Sequence, residues 1–177
     1  MHYTTVGVPV TDQTEIGVVL AKEPPSGTAR RVGSGGQMPN MQFVIPPNHP
    51  NYEVTAQRTM ERDTYLAGVY PHMHVRGKDV QYKIIYPDGR EEVVLSVPRY
   101  DFAWQTSYRL AEPKFMPKGS ILKVIAHYDN SSGNRFNPDP SQAVRWGDQT
   151  WEEMLIGYYN TIDGPPPSPS RTGAQQQ

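Results

Sequence analysis

Apolar residues recur at every second position in short runs along this chain, and polar stretches rich in glycine and proline separate the runs. A period of two is the pattern of half-buried strands, because successive strand side chains point to opposite faces. Residues 16–22 (IGVVLAK) read as a strand, and 23–40 as a long Gly-, Pro- and Ser-rich loop. Residues 41–60 read as two strands around a proline-rich turn. Residues 64–77 read as a strand that carries Tyr70-Pro71-His72-Met73-His74 near its end. Pro71 donates no backbone hydrogen bond, which predicts an edge or a bulge there. The clearest hairpin is 80–97, two apolar runs joined by Pro87-Asp88-Gly89-Arg90. Residues 104–110 and 121–128 are two further strands, and 129–150 is a long polar loop. Residues 151–161 read as a strand, since Gly157 and the neighbouring tyrosines weaken a helix. Residues 163–177 (DGPPPSPSRTGAQQQ) are of low complexity and predict a disordered tail.

Composition narrows this to one fold class. The chain has 177 residues, enough for one domain with a sizeable core, and its 15 glycines and 18 prolines leave little room for long helices. The expectation is an all-β domain over 1–162: an antiparallel, jelly-roll-like two-sheet β-sandwich of about nine strands. Lys and Arg number 17 against 18 Asp and Glu, so net charge favours neither nucleic acid nor an anionic membrane as partner. No apolar run is long enough to span a bilayer. The opening residues MHYTTVGVPV lack the charged and apolar regions of a signal peptide. The chain has no cysteine, which excludes disulfides, thiolate catalysis and zinc ribbons.

The candidate chemistry lies in the histidines. His72 and His74 are two of five, and on a strand both imidazoles face the same side. Their Cβ atoms would then be about 7 Å apart, from which two ring nitrogens can converge on one ion. An arbitrary His-x-His is more often a pair of half-exposed strand residues than a ligand pair. A metal needs a third ligand, and the candidates are His127, Met154, Asp79, Asp129, Glu152 and Glu153. A carboxylate would suit zinc or non-haem iron, and a thioether would suit Cu(I). A hydrolytic zinc site would use Glu152 or Glu153 as its acid/base. The cupin pattern is not met, because no Glu follows His74 before Asp79. His49, in PPNHPN, reads as an exposed loop residue. Trp146, Trp151 and Tyr158 are core aromatics by default and pocket walls as the alternative.

The segments FVIPPNHPNYEV, YLAGVYPHMHVRGKDVQYKII and GDQTWEEMLIGYY resemble the C-terminal domain of the copper type II, ascorbate-dependent monooxygenases. That family includes peptidylglycine α-hydroxylating monooxygenase and dopamine β-monooxygenase. The resemblance runs over roughly residues 2–161 and is closest to bacterial members. It implies one copper, where oxygen is activated, held by His72, His74 and Met154. It implies C–H hydroxylation with O₂, ascorbate as electron donor, and a small-molecule substrate that no residue names. It places residues 1–15 as the linker from a preceding domain that carries a second copper, with His2 resembling that copper's last ligand. It implies an extracytoplasmic location, periplasmic or secreted.

The departures from the family are specific. Leu155 and His127 stand where relatives keep a disulfide beside the copper methionine. His127 is then either a group packed behind the copper or a satisfied strand histidine. Tyr70 and Ile156 stand where peptide-hydroxylating members keep an Arg and an Asn that hold the substrate, and Tyr158 alone is retained as a catalytic-site residue. Glycine-extended peptides are therefore poor substrate candidates. The alternative from a different class is a non-catalytic β-sandwich module with a vestigial metal site.

Overall fold

The computed structural model describes residues 7–20, 22 and 35–162. His2, most of the stretch expected as a loop over 23–40, and the expected tail 163–177 lie outside the described residues. Ten strands follow in chain order: β1 (Gly36–Pro39), β2 (Val44–Ile45), β3 (Tyr52–Thr59), β4 (Thr64–His72), β5 (Gly77–Ile85), β6 (Glu91–Val97), β7 (Tyr108–Met116), β8 (Ile121–Tyr128), β9 (Val144–Arg145) and β10 (Ile156–Ile162). The described residues include no helix long and apolar enough to cross a membrane.

The pairing is nested. β5 pairs with β6, β4 with β7, β3 with β8 and β1 with β10, all antiparallel. This is one long hairpin folded over on itself. Two further pairings, β10 with β4 and β5 with β8, join its halves into two four-stranded sheets, β1-β10-β4-β7 and β3-β8-β5-β6. Two sheets with that nesting make a jelly roll. β2 and β9 form a small separate ribbon.

Alternation dictates the core. In β8 the even positions Leu122, Val124, Ala126 and Tyr128 are fully buried and the odd ones are not. They meet Leu66, Met73 and Met116 of the other sheet's segments in a single cluster. Each such side chain contributes roughly 1.5–3 kcal/mol before the entropy of ordering it. The sheets are also joined by a polar stitch. The Tyr82 hydroxyl, on β5, reaches across and donates to the Tyr70 and Tyr158 carbonyls at 3.0 and 3.3 Å. Gly157 lies beside that contact: a Cβ there would stand 3.3 Å from the Tyr82 hydroxyl and 2.9 Å from both Met38 and Val124.

Several boundaries differ from expectation. The run 16–22 forms no strand among its described residues, and Val19 is 99% exposed. Its period of two is right for a strand, but a strand needs an edge to pair with, and no described strand pairs with it. β1 lies inside the stretch expected as loop and β9 inside the loop 129–150; with the run 16–22 lost, nine expected strands become ten among the described residues. β7 starts and ends later than 104–110, running through Pro113. It does so because β7 is an edge strand with an irregular register to β4 between Leu66 and Gly68, a setting that tolerates proline. Pro71 behaves as expected. β4 is internal, but its pairing to β7 ends at Val69, so at Pro71 the strand is locally an edge.

Candidate metal centre

His72 is the last residue of β4, and His74 lies just beyond, in the turn to β5. The pair therefore straddles a strand end instead of sitting within a strand. Its ring centroids are 5.2 Å apart with the planes at 83°, so the two imidazoles sit edge to face. His74 is buried and His72 half-buried.

Both imidazoles are oriented through Nδ1. The His72 Nδ1–H donates to Gln105 Oε1 at 2.6 Å, and the His74 Nδ1–H donates to the Glu152 carbonyl at 3.2 Å. Both acceptors are carbonyl oxygens, so Nδ1 is the donating nitrogen of each ring in these contacts. An imidazole that ligates a metal through one nitrogen commonly donates from the other in this way. Gln105 is itself fixed, donating from Nε2 to the Phe102 carbonyl at 3.1 Å and accepting from the Tyr70 hydroxyl at 3.3 Å. Phe102 lies edge-on to His74 at 5.9 Å.

The backbone of the turn is held from both sides. The Tyr100 hydroxyl donates to the Met73 carbonyl at 2.8 Å and accepts from the Met73 amide at 3.1 Å. On the other side stands the Glu153 carboxylate, fully buried. Its Oε2 accepts from the His74 amide at 2.8 Å and the Met154 amide at 3.2 Å, and its Oε1 accepts from the Arg76 amide at 2.7 Å. Burial pushes the Glu153 carboxyl up to about 8, against the pull of those three donors and of the Arg76 guanidinium. Arg76 is buried too, with Nε donating to Asn130 Oδ1 at 2.9 Å and Nη1 to the Trp151 carbonyl at 2.8 Å. Asn130 is a buried hub whose amide also donates to the Pro46 and Gln142 carbonyls.

Glu153 links the Met154 backbone to this turn. On β4 and β10, His72 lies opposite Ile156 and Tyr70 opposite Tyr158. The pairing ends at His72 and Ile156, and beyond it one Glu153 oxygen, Oε2, accepts from both the His74 and the Met154 amides. The Met154 carbonyl accepts from the buried Tyr128 hydroxyl at 2.7 Å, and its side chain is buried. Directly opposed residues share a face, so His72, Ile156, Tyr70 and Tyr158 lie on one side of the sheet. The Tyr70 and Tyr158 rings stack there, with centroids 5.5 Å apart and planes at 29°.

The other candidate ligands go elsewhere. His127 and Asp79 form a pair at 2.6 Å on the opposite sheet, with Glu53 at 3.5 Å from the same imidazole, so His127 is a satisfied strand histidine. Leu155 is fully buried in the core. Asp129 caps its own turn, accepting from the Ser131 amide and hydroxyl. The Glu152 carboxylate accepts from the Gln149 amide at 3.0 Å, and Glu153 is occupied by three amides. Among the described residues, no three His, Asp or Glu side chains gather as a metal-ligand group. Neither a carboxylate side chain nor a third histidine gathers with the pair among the described residues. His49 sits in an exposed loop, its Nδ1 accepting from the Asn51 amide. Trp146 packs against the core and Trp151 is largely exposed.

Tyr100, Gln105, Arg76 and Asn130 are absent from the residues singled out by sequence. Glu153 is present there as a ligand or acid/base, and its place is as an acceptor for backbone amides. The one local signal was a carboxylate beside a methionine in an otherwise apolar strand entry.

No family model matches the chain, and no curated protein matches it. Among solved structures, it is similar to a chain of "Structure of infectious bursal disease virus Gt strain", with 12% identity and a TM-score of 0.34. That likeness covers 81% of this chain and 35% of the viral one, so this chain spans about a third of its length.

Proposed function

We propose that this chain is the copper-binding, oxygen-activating domain of an ascorbate-dependent monooxygenase, with His72, His74 and Met154 as the ligands. The observation that supports the reading is the Glu153 Oε2 atom, which accepts from the amides of both His74 and Met154 just beyond the β4–β10 pairing. Two imidazoles and one thioether form a donor set suited to Cu(I) and poorly suited to hard cations. Copper bound there supplies the one-electron chemistry that couples O₂ to hydroxylation of a C–H bond.

The chain's own groups do the positioning. Gln105 and the Glu152 carbonyl orient the two imidazoles, while Tyr100 and Glu153 hold the backbone between and beyond the histidines. The stacked Tyr70 and Tyr158 rings form a flat wall on the His72 side of the sheet, where substrate would lie. Tyr158 is the substrate-contacting residue in this reading. With Tyr70 and Ile156 in place of the Arg and Asn of peptide-hydroxylating relatives, the wall favours an apolar or aromatic substrate over a peptide carboxylate. The second copper, with His2 among its ligands, and an extracytoplasmic location remain parts of the same proposal.

Cu(I) titration tests the reading. One equivalent binds the wild-type chain, and His72→Ala combined with Met154→Ile removes it. Stoichiometry and affinity that survive both substitutions contradict the site. A wild-type chain that takes up no copper points to the non-catalytic module instead.

A further inference from the structure

β4 ends at His72 and starts at Thr64, and beside its start lies a groove of about 590 Å³ that the copper reading does not use. Tyr86, Pro87, Asp88 and Arg90 of the β5–β6 turn form one wall, and Phe115 and Pro117 at the end of β7 form the other. Phe115 is 45% exposed, and its ring packs against Tyr65 with centroids 5.1 Å apart. The two walls are tied through Glu92, which accepts from the Tyr86 hydroxyl at 2.7 Å and pairs with Lys114 at 2.9 Å. The turn is closed by the Tyr86 amide donating to the Arg90 carbonyl at 2.8 Å. The groove is therefore formed in advance, and filling it orders little of the domain.

The end of β10 lies beside this groove. Its last residue, Ile162, is opposite Tyr65, and Tyr65 is opposite Phe115 on its other side. The Thr64 hydroxyl donates to the Ile162 carbonyl at 3.2 Å, which fixes the exit point. Two strand spacings put Ile162 roughly 10 Å from Phe115. The sequence continues as Asp163-Gly164-Pro165-Pro166-Pro167-Ser168-Pro169, outside the described residues. Two residues precede the prolines, and five residues of a polyproline II helix span about 15 Å, enough to cross from Phe115 to the turn. Prolines offer apolar rings and carbonyl acceptors but no N–H, so they suit aromatic and apolar ridges beside a donor. Phe115, Pro87 and Pro117 are such ridges. Arg90 is the donor: its guanidinium stacks 3.7 Å over the Tyr86 ring, 60% exposed and 3.9 Å from Glu92. The one carboxylate in the wall, Asp88, is already engaged by the Arg90 amide at 3.0 Å.

We infer that the Tyr86–Arg90–Phe115 groove is a docking site for a proline-rich segment, and that its occupant is this chain's own Pro165–Pro169. A tether of two residues gives an effective concentration in the millimolar range, so a contact of millimolar affinity is enough to keep the groove filled. The inference draws on neither the histidines nor a metal, and its test is independent of the copper reading.

The chain has no cysteine, so Ser170→Cys gives a single site for a nitroxide label in the full-length, metal-free protein. In ¹H–¹⁵N spectra the amides of Tyr86, Asp88, Gly89 and Phe115 are expected to lose most of their intensity and to regain it when the nitroxide is reduced. Replacing Pro165, Pro166 and Pro167 together by Ser is expected to restore those signals in the labelled chain, and so is Phe115→Ser, with the rest of the spectrum in place as the check on folding. A mixture of unlabelled ¹⁵N chain with labelled ¹⁴N chain is expected to show no loss. The inference is overturned by any of three results. The Asp88 and Gly89 signals keep their intensity; the loss persists undiminished after the triple proline substitution, as a mere tether would give; or the mixed sample shows the loss, which places the segment on a second copy.

Discussion

Replacing Tyr100 by Phe removes one oxygen atom and should loosen the turn that carries both histidines. That hydroxyl donates to the Met73 carbonyl at 2.8 Å and accepts from the Met73 amide at 3.1 Å. Met73 is the residue between His72 and His74, and its side chain is fully buried. Phe keeps the ring, so packing against Gly77, where a Cβ would come within 2.7 Å of the Tyr100 ring, is retained. What is lost is the partner of two backbone groups in a partly buried place. An orphaned donor or acceptor costs about 1–3 kcal/mol, and water at the half-exposed side offsets part of that, which leaves roughly 2–4 kcal/mol for the two. For a domain of this size that corresponds to a fall in Tm of roughly 5–15 °C. Guanidinium unfolding of the metal-free protein measures the first quantity, and Cu(I) competition titration measures the consequence. Loss of a group that orients ligands typically lowers metal affinity about 10–100-fold. A Tyr100→Phe protein within about 0.5 kcal/mol of wild type, with unchanged Cu(I) affinity, would refute the claim that this hydroxyl holds the turn.

Two further substitutions probe the frame around the same turn. With Glu153 raised to about 8 from an ordinary 4.5, the folded protein keeps a proton that the unfolded chain releases, so metal-free stability falls as pH rises through that window. Glu153→Gln should flatten this slope, costing about 1–3 kcal/mol near pH 5 for the amide left without an acceptor and less near pH 8. Parallel wild-type and variant curves in denaturant unfolding across that range would contradict it. Gly157→Ala places a Cβ 2.9 Å from Met38 and from the fully buried Val124, so overpacking should cost about 1–3 kcal/mol. The same variant should also weaken Cu(I) binding, because β10 leads directly from Met154; a drop in unfolding midpoint without a change in affinity would separate strand packing from the ligand geometry.

Much of the jelly roll was legible from period and punctuation. β3, β4, β8 and the β5–β6 hairpin appear where alternating residues are bounded by Gly, Pro and Asn. The errors share a cause. Residues 16–20 alternate like a strand but pair with no strand among the described residues, β1 is hidden in a Gly- and Pro-rich stretch, and the two-residue β9 is too short to show a period. Local pattern reports which side chains want burial, and pairing is decided by the rest of the chain. The same division applies to the candidate centre. The His-x-His spacing is visible in sequence, and so is a methionine 80 residues later than His74. The link between their backbones runs through β4–β10 pairing and the Glu153 carboxylate, which no local window contains. Glu153, Arg76 and Asn130 are residues that sequence habit assigns to the surface, and only burial of all three together shows them to be the scaffold of the turn.

Sulfur ligation is the feature that sets a His₂Met copper site apart from a mere histidine pair. X-ray absorption of the Cu(I)-loaded protein reports it directly. The account predicts a spectrum fitted by two imidazoles and one sulfur per copper, with the sulfur lost in Met154→Ile. Copper bound only through nitrogen or oxygen in the wild type, or a sulfur shell that persists in Met154→Ile, would contradict it.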